Sequence, residues 1–457
     1  MGEAVAVRFD DSLPALARIV EKELGASALA HGVALRDVTG RLAFVAAAPI
    51  AEEDVERLST ELRRALGPYA RADRAVVPFG DYGSSELLQE RHVEVSLPNG
   101  VRVKLVDRRL VGADWLKPPV EAAPGPPRFV FASLKGGVGR STALTVAAAH
   151  RAAQGERILA IDLDIEAPGL GAILLDDDTL PEFGVLDALV ESQLGSLDER
   201  FLADLVGPSA LAETRGGIDV APAFGRRSRK NPADVLAKIA RAYTEHVRED
   251  GAVVTLLDKV RALVDFFTER SRYDAIFVDA RAGLHETAAS AILGLGAEVF
   301  LFGIDERQTF QGYEALLGHM GRFVVSGGPA PEWFLRLTMV QGKAPLEREA
   351  REAFVERCRA LFRRTGFGPA EPTSPADVPA LDTVGALTWD DAIPDEQVLP
   401  DEEWVPRSPI AIAYDPQFQR FDPFERRDLL TDRVYRATFG DLLERIDEPF
   451  RARRSDP

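Results

Sequence analysis

The stretch "FVFASLKGGVGRST", residues 129–142, constrains this chain more than any other. A short apolar run, a glycine-rich turn and an Ala-rich segment, "STALTVAAAHRAAQG", follow one another and end at Gly155. That order predicts strand, loop and helix, the context a phosphate-binding loop requires. Gly136, Gly137 and Gly139 let the backbone approach an anion closely. Beyond them a helix start offers unpaired N–H groups and a partial positive charge. The usual pattern is G-x-x-x-x-G-K-[ST]. Here Leu134 stands at the first Gly, Arg140 stands at the Lys, and an additional Lys135 lies inside the loop. The spacing K-G-G-x-G-[KR]-[ST] assigns Gly136, Gly137, Val138, Gly139, Arg140, Ser141 and Thr142 to the phosphates, with Ser141 also placed to hold a phosphate-bound Mg²⁺.

The texture after residue 128 extends this reading. Short apolar runs at 129–133, 157–164, 217–222, 274–280, 298–305, 335–341 and 408–415 alternate with longer helical stretches. Strands apolar on both faces belong in a parallel sheet covered by helices. The fold class expected is therefore α/β, a doubly wound, mostly parallel sheet P-loop NTPase domain over 128–457. Residues 342–405, Pro- and acid-rich in "DDAIPDEQVLPDEEW", read as an insertion on it.

Residues 1–116 read as a small α+β domain with no chemical constellation, and so as a partner-binding unit. "AEEDVERLSTELRRALG" places Val55, Leu58, Leu62 and Leu66 on one helical face, and "HVEVSLPNGVRVKLVD" is a hairpin signal around Pro-Asn-Gly. Between the domains, "KPPVEAAPGPP", residues 117–127, holds five prolines in eleven residues and reads as a linker.

Composition excludes several classes. With 457 residues the chain exceeds one typical core, and length alone suggests about three domains. No apolar run approaches the ~20 residues of a membrane span. The start of the chain shows neither a basic n-region nor an apolar h-region. The only cysteine, Cys358, excludes a disulfide framework and fits a reducing cytoplasm, with the thiol partly buried and inert. A net charge of −18 argues against a surface that coats nucleic acid. The local basic run "GRRSRKN", 225–231, leaves either a nucleic-acid or anionic-lipid contact or a solvated loop.

On these residues the chain resembles the MinD/ParA family of P-loop ATPases, whose deviant loop carries its signature lysine early, as at Lys135. "IDLDIEAPGL", 161–170, is similar to the family's first switch, and "YDAIFVDARAGL", 273–284, to its Walker B strand and second switch. "SPIAIAYDPQF", 408–418, resembles the last strand and the segment after it. Arg140 with "EAPGL" resembles a bacterial subgroup with K-G-G-x-G-R-[ST]. The resemblance covers about 128–450. It implies ATP and Mg²⁺ as cofactors, a homodimer formed on ATP binding, and slow hydrolysis. It implies catalytic roles for Lys135, reaching the partner's nucleotide, and for Asp164, orienting the attacking water. It places Asp279 with Ser141 on the metal and Gln341 near an adenine. Asp162 is expected to be structural or close to the metal.

Arg140 supplies the missing Lys charge through a longer, bidentate group. Arg281 reads as a γ-phosphate sensor, a partner contact or a plain salt bridge, and His285 as a helix-start residue. The terminal "VYRATFGDLLERIDEPFRARR" reads as a packed helix or, as in some relatives, a membrane-targeting one. Three functions follow: an ATP-dependent dimer switch in segregation, positioning or bacterial conflict and defence; a nucleotide-sensing module with little hydrolysis; or a metabolic P-loop enzyme.

Overall fold

Seven of the eight strands in the larger sheet are the apolar runs read above, which the computed structural model arranges in parallel. It describes residues 7–97, 99–193, 197–211, 216–248, 251–269, 272–324, 330–367 and 407–455. The acid-rich stretch 390–404 lies outside them. The chain divides into two compact units, 1–118 and 119–457.

The first unit carries a five-stranded mixed sheet. Its strands are β1 (Val33–Arg36), β2 (Leu42–Val45), β3 (Val76–Val77), β4 (Val93–Ser96) and β5 (Arg102–Asp107), in the order β3-β2-β1-β5-β4. The expected hairpin is β4–β5, antiparallel with Val95 opposite Val103. The helix Glu52–Leu66 buries Leu58, Leu62 and Leu66. The helix Phe9–Leu24, which the sequence reading did not single out, buries Leu13, Leu16, Ala17 and Val20.

In the second unit the strands are β6 (Arg128–Ser133), β7 (Arg157–Asp162), β8 (Gly207–Pro208), β9 (Gly217–Ala221), β10 (His246–Val247), β11 (Val253–Val254), β12 (Ala275–Asp279), β13 (Glu298–Gly303), β14 (Leu337–Ala344) and β15 (Ile410–Ala413). Eight form one sheet in the order β15-β14-β13-β6-β12-β7-β9-β8, parallel except for β8 against β9. Phe129, Phe131, Phe277 and Phe300 stack across its central strands, fully buried. The fold is thus α/β with a large, mostly parallel sheet and a strand–loop–helix turn at its central strand.

Helices cover both faces because the central strands β6, β7, β12 and β13 are buried on both. The helix Arg140–Ala153 lies on one face, packed against the terminal helix Asp432–Ser455. Tyr435, Phe439, Leu442, Leu443, Ile446 and Phe450 of that last helix sit in the same apolar core. Its apolar stripe is therefore spent on packing. No helix among the described residues is long and apolar enough to cross a membrane.

Two segments carry more structure than their sequence suggests. The first part of 342–405, read as an insertion, holds a packed helix. The helix Arg348–Arg364 buries Phe354, Cys358, Leu361 and Phe362 at helical spacing and is part of the crossover from β14 to β15. Burial pushes the Cys358 thiol up to about 12, which keeps it unreactive. The Pro-rich segment, expected to be a bare linker, runs along the second unit from residue 119. Val120 and Ala123 donate to Leu293 O and Gly296 O at 2.9 and 3.0 Å. An added Cβ on Gly296 would lie 2.4 Å from Glu121 O, so a side chain there would expel the segment.

Candidate functional site: a phosphate loop ringed by carboxylates

The loop leaves β6 at Ser133 and enters the helix at Arg140. Gly137 and Gly139 hold φ of 76° and 91°, left-handed conformations that favour glycine at both positions. Leu134, at the position of the usual first Gly, is tolerated because it lies over Gly312. A Cβ on Gly312 would come 2.6 Å from Leu134 Cδ1. Gly342 plays a similar part at the end of β14, where a Cβ would stand 2.2 Å from Val138 O.

From Gly136 to Thr142, backbone N–H groups donate to no acceptor among the described residues, whereas Ala143 N–H returns to Gly139 O at 2.9 Å. A Cβ on Gly136, Gly137 or Gly139 would meet nothing within 4 Å. Unpaired amides beside open space at a helix start form an anion cradle.

Three carboxylates stand beside it. Asp162 and Asp279 end neighbouring strands in register, so both occupy the same level of the sheet. Ser141 Oγ donates to Asp279 Oδ2 at 2.6 Å. Arg140 spans the group: Nε pairs with Asp279 Oδ1, one terminal nitrogen lies 3.4 Å from Asp164 Oδ2, and the other donates to Ser133 Oγ at 3.2 Å. Asp162 is wholly buried and accepts the N–H groups of Asp164, Gly169 and Leu170 at 3.0, 3.2 and 3.1 Å. It therefore shapes the loop 163–170. Burial, and next the charge of Asp279, push its carboxyl up to about 7. Burial also raises Asp279, against the opposing pull of Arg140 and Ser141.

Lys135 is half-exposed and pairs with Glu306 Oε2 of its own chain at 3.1 Å. Arg281 takes the ion-pair alternative, binding Glu166, which also accepts Tyr243 Oη at 2.8 Å. That cluster ties loop 163–170 to the segment after β12 and to the residue closing helix Val235–Ala242. His285 is the N-cap of helix Glu286–Gly294. In the basic run, Arg226 donates to Leu180 O, Asp177 O and Asp178 O, while Arg227 and Arg229 pair with Glu182 and Asp177. Those three arginines fasten the segment 177–182.

Gln341, placed near an adenine by the resemblance, is buried. It is in register with Gly303, whose missing Cβ would face Thr309 and Tyr313, so it points to helix Arg307–Met320. The neighbouring Gly342 faces Val138 instead. After an irregularity in the β14–β15 pairing, Lys343, at φ 53°, lines a small pocket of about 50 Å³. Val138, Thr142, Tyr414, Asp415 and Phe418 also line it. Sequence reading missed Lys343 because the irregularity resets the alternation that would have placed it.

No family profile matches this chain, and no curated protein matches it. Solved structures do. A ParA family ATPase from Chlorobium tepidum is 19% identical over 48% of this chain and 74% of its own, with a TM-score of 0.33. The septum site-determining protein MinD from Pyrococcus horikoshii, complexed with Mg-ADP, is 17% identical over 52% and 76%, with a TM-score of 0.33. Cobyrinic acid a,c-diamide synthase from Mycobacterium smegmatis, with a bound ATP analogue and magnesium, is 15% identical over 51% and 82%, with a TM-score of 0.35. Similarities of this size carry no functional assignment.

Proposed function

We propose that this protein is an ATP- and Mg²⁺-binding P-loop ATPase of MinD/ParA type that works as a dimer switch in the cytoplasm. One observation carries the reading: the unpaired N–H run from Gly136 to Thr142 faces open space beside the Ser141–Asp279 pair. The donor set fits a nucleotide phosphate with its metal. Backbone amides and Arg140 suit phosphate oxygens, while a hydroxyl and a carboxylate suit Mg²⁺. Bound Mg²⁺–ATP supplies the transferable phosphoryl group and the metal charge that stabilises its transfer. Ser141 and Asp279 hold the metal, and Asp164 orients a water. Lys135, half-exposed on the loop, reaches a second copy once its bond to Glu306 is released. Residues 1–116 recruit a protein partner, and the output is positional or regulatory.

Equilibrium titration with a labelled ATP analogue tests this, and absence of binding at millimolar nucleotide with Mg²⁺ would end it. A second reading, a nucleotide sensor with little hydrolysis, is favoured by one feature: Arg140 is bound to the two carboxylates that turnover needs. Turnover measured together with the identity of bound nucleotide separates the two.

A further inference from the structure

Arg140 does more than replace a lysine. Its side chain is 11% exposed, and its partners Asp279 and Asp164 are 2% and 10% exposed. A guanidinium has five donors on a planar fork, enough to hold Ser133, Asp164 and Asp279 at once; an ammonium on a shorter stem presents a single point charge. Arg140 lies within the amide cradle of Gly136–Thr142 and opens the helix. One cation is thus shared between two sets of acceptors: the carboxylates it touches and any phosphate on the amides beside it.

We infer that Arg140 is a positioning residue that couples phosphate binding to release of Asp279 for the metal. This rests on the nucleotide reading above. While Arg140 lies against Asp279, its charge offsets the carboxylate: Oδ1 makes the ion pair with Arg140 Nε, without a hydrogen bond, and Oδ2 accepts from Ser141. When Arg140 turns to a phosphate, Asp279 is left buried without its cation, which is strongly unfavourable until a metal replaces the guanidinium. Nucleotide and Mg²⁺ therefore bind with strong mutual reinforcement. Asp164 is released in the same movement, so its availability for a water follows phosphate occupancy.

The test has two arms on the full chain. Urea unfolding without nucleotide or metal is measured for wild type, Arg140→Met, Asp279→Asn and the double variant. The pair is coupled if the second substitution costs far less once the first is made. Labelled ATP affinity is then measured in EDTA and in Mg²⁺. Wild type should bind at least about 30-fold more weakly in EDTA, and Asp279→Asn, with Arg140 held only by Asp164 and Ser133, should bind about tenfold more tightly than wild type in EDTA. A residue serving only as a metal ligand would leave the EDTA affinity unchanged. Additive unfolding effects, or an Asp279→Asn affinity in EDTA equal to that of wild type, overturn the coupling. A wild type that binds no ATP in Mg²⁺ instead overturns the nucleotide reading, and the unfolding arm still reports on the pair.

Discussion

Gly342→Ala isolates how closely the sheet supports the phosphate loop. The new Cβ would stand 2.2 Å from the Val138 carbonyl oxygen, a backbone atom that no rotamer change can move. Loop and strand must separate by about 0.8 Å or more to reach a tolerable contact. Overpacking of this kind costs about 1–3 kcal/mol, offset by about 0.4–1 kcal/mol from the stiffer unfolded chain. A net loss of about 1–2 kcal/mol follows in urea unfolding. The displaced Val138 lies within the amide run, so one charge-assisted bond to phosphate is lost, raising the ATP dissociation constant about 10- to 100-fold. Gly136→Ala is the control. Its Cβ meets nothing within 4 Å and its φ is not positive, so it should be about 0.4–1 kcal/mol more stable than wild type in unfolding while its nucleotide affinity falls. If Gly342→Ala unfolds like wild type and binds within twofold of it, close support of the loop by β14 is wrong.

Further outcomes concern the switch, pH and the boundary. With ATP and Mg²⁺, light scattering should show Asp164→Ala as a dimer and Lys135→Ala as a monomer, both without turnover; two monomers would sink the switch. Because the folded Asp162 carboxyl lies near 7, above its unfolded value of about 3.9, the native state binds the extra proton between those values. Its contribution to stability therefore falls as pH rises from about 4 to 7, and urea unfolding of Asp162→Asn should show a flatter pH profile. Asp447→Ala removes one carboxylate from buried Arg151, which keeps Glu156, and from His150, and should cost about 1.5–3 kcal/mol in chemical unfolding. A fragment starting at residue 119 should melt above one starting at 128, since only the former keeps the Val120 and Ala123 bonds.

Local features are legible in the chain alone. A phosphate loop is one contiguous strand–turn–helix, so its glycines, Ser141 and the strand before it could be read from spacing. The parallel sheet was legible because strands buried on both faces show as unbroken apolar runs. Tertiary structure decided everything that depends on register or on distant partners. Arg140 meets Asp279, and Leu134 is accommodated by Gly312, only because the chain returns to the loop after more than a hundred residues. An irregularity in the β14–β15 pairing after Gln341 brings Lys343 to the pocket, a placement that strict alternation along β14 would not give. The basic run at 225–231 could be read as an anion contact or a solvated loop; the carbonyls of 177, 178 and 180 and nearby carboxylates take up its arginines. Local patterns fix an element because its period is written in neighbouring residues. The face it presents, and the partner of each charge, are set by how elements far apart in the chain are brought together.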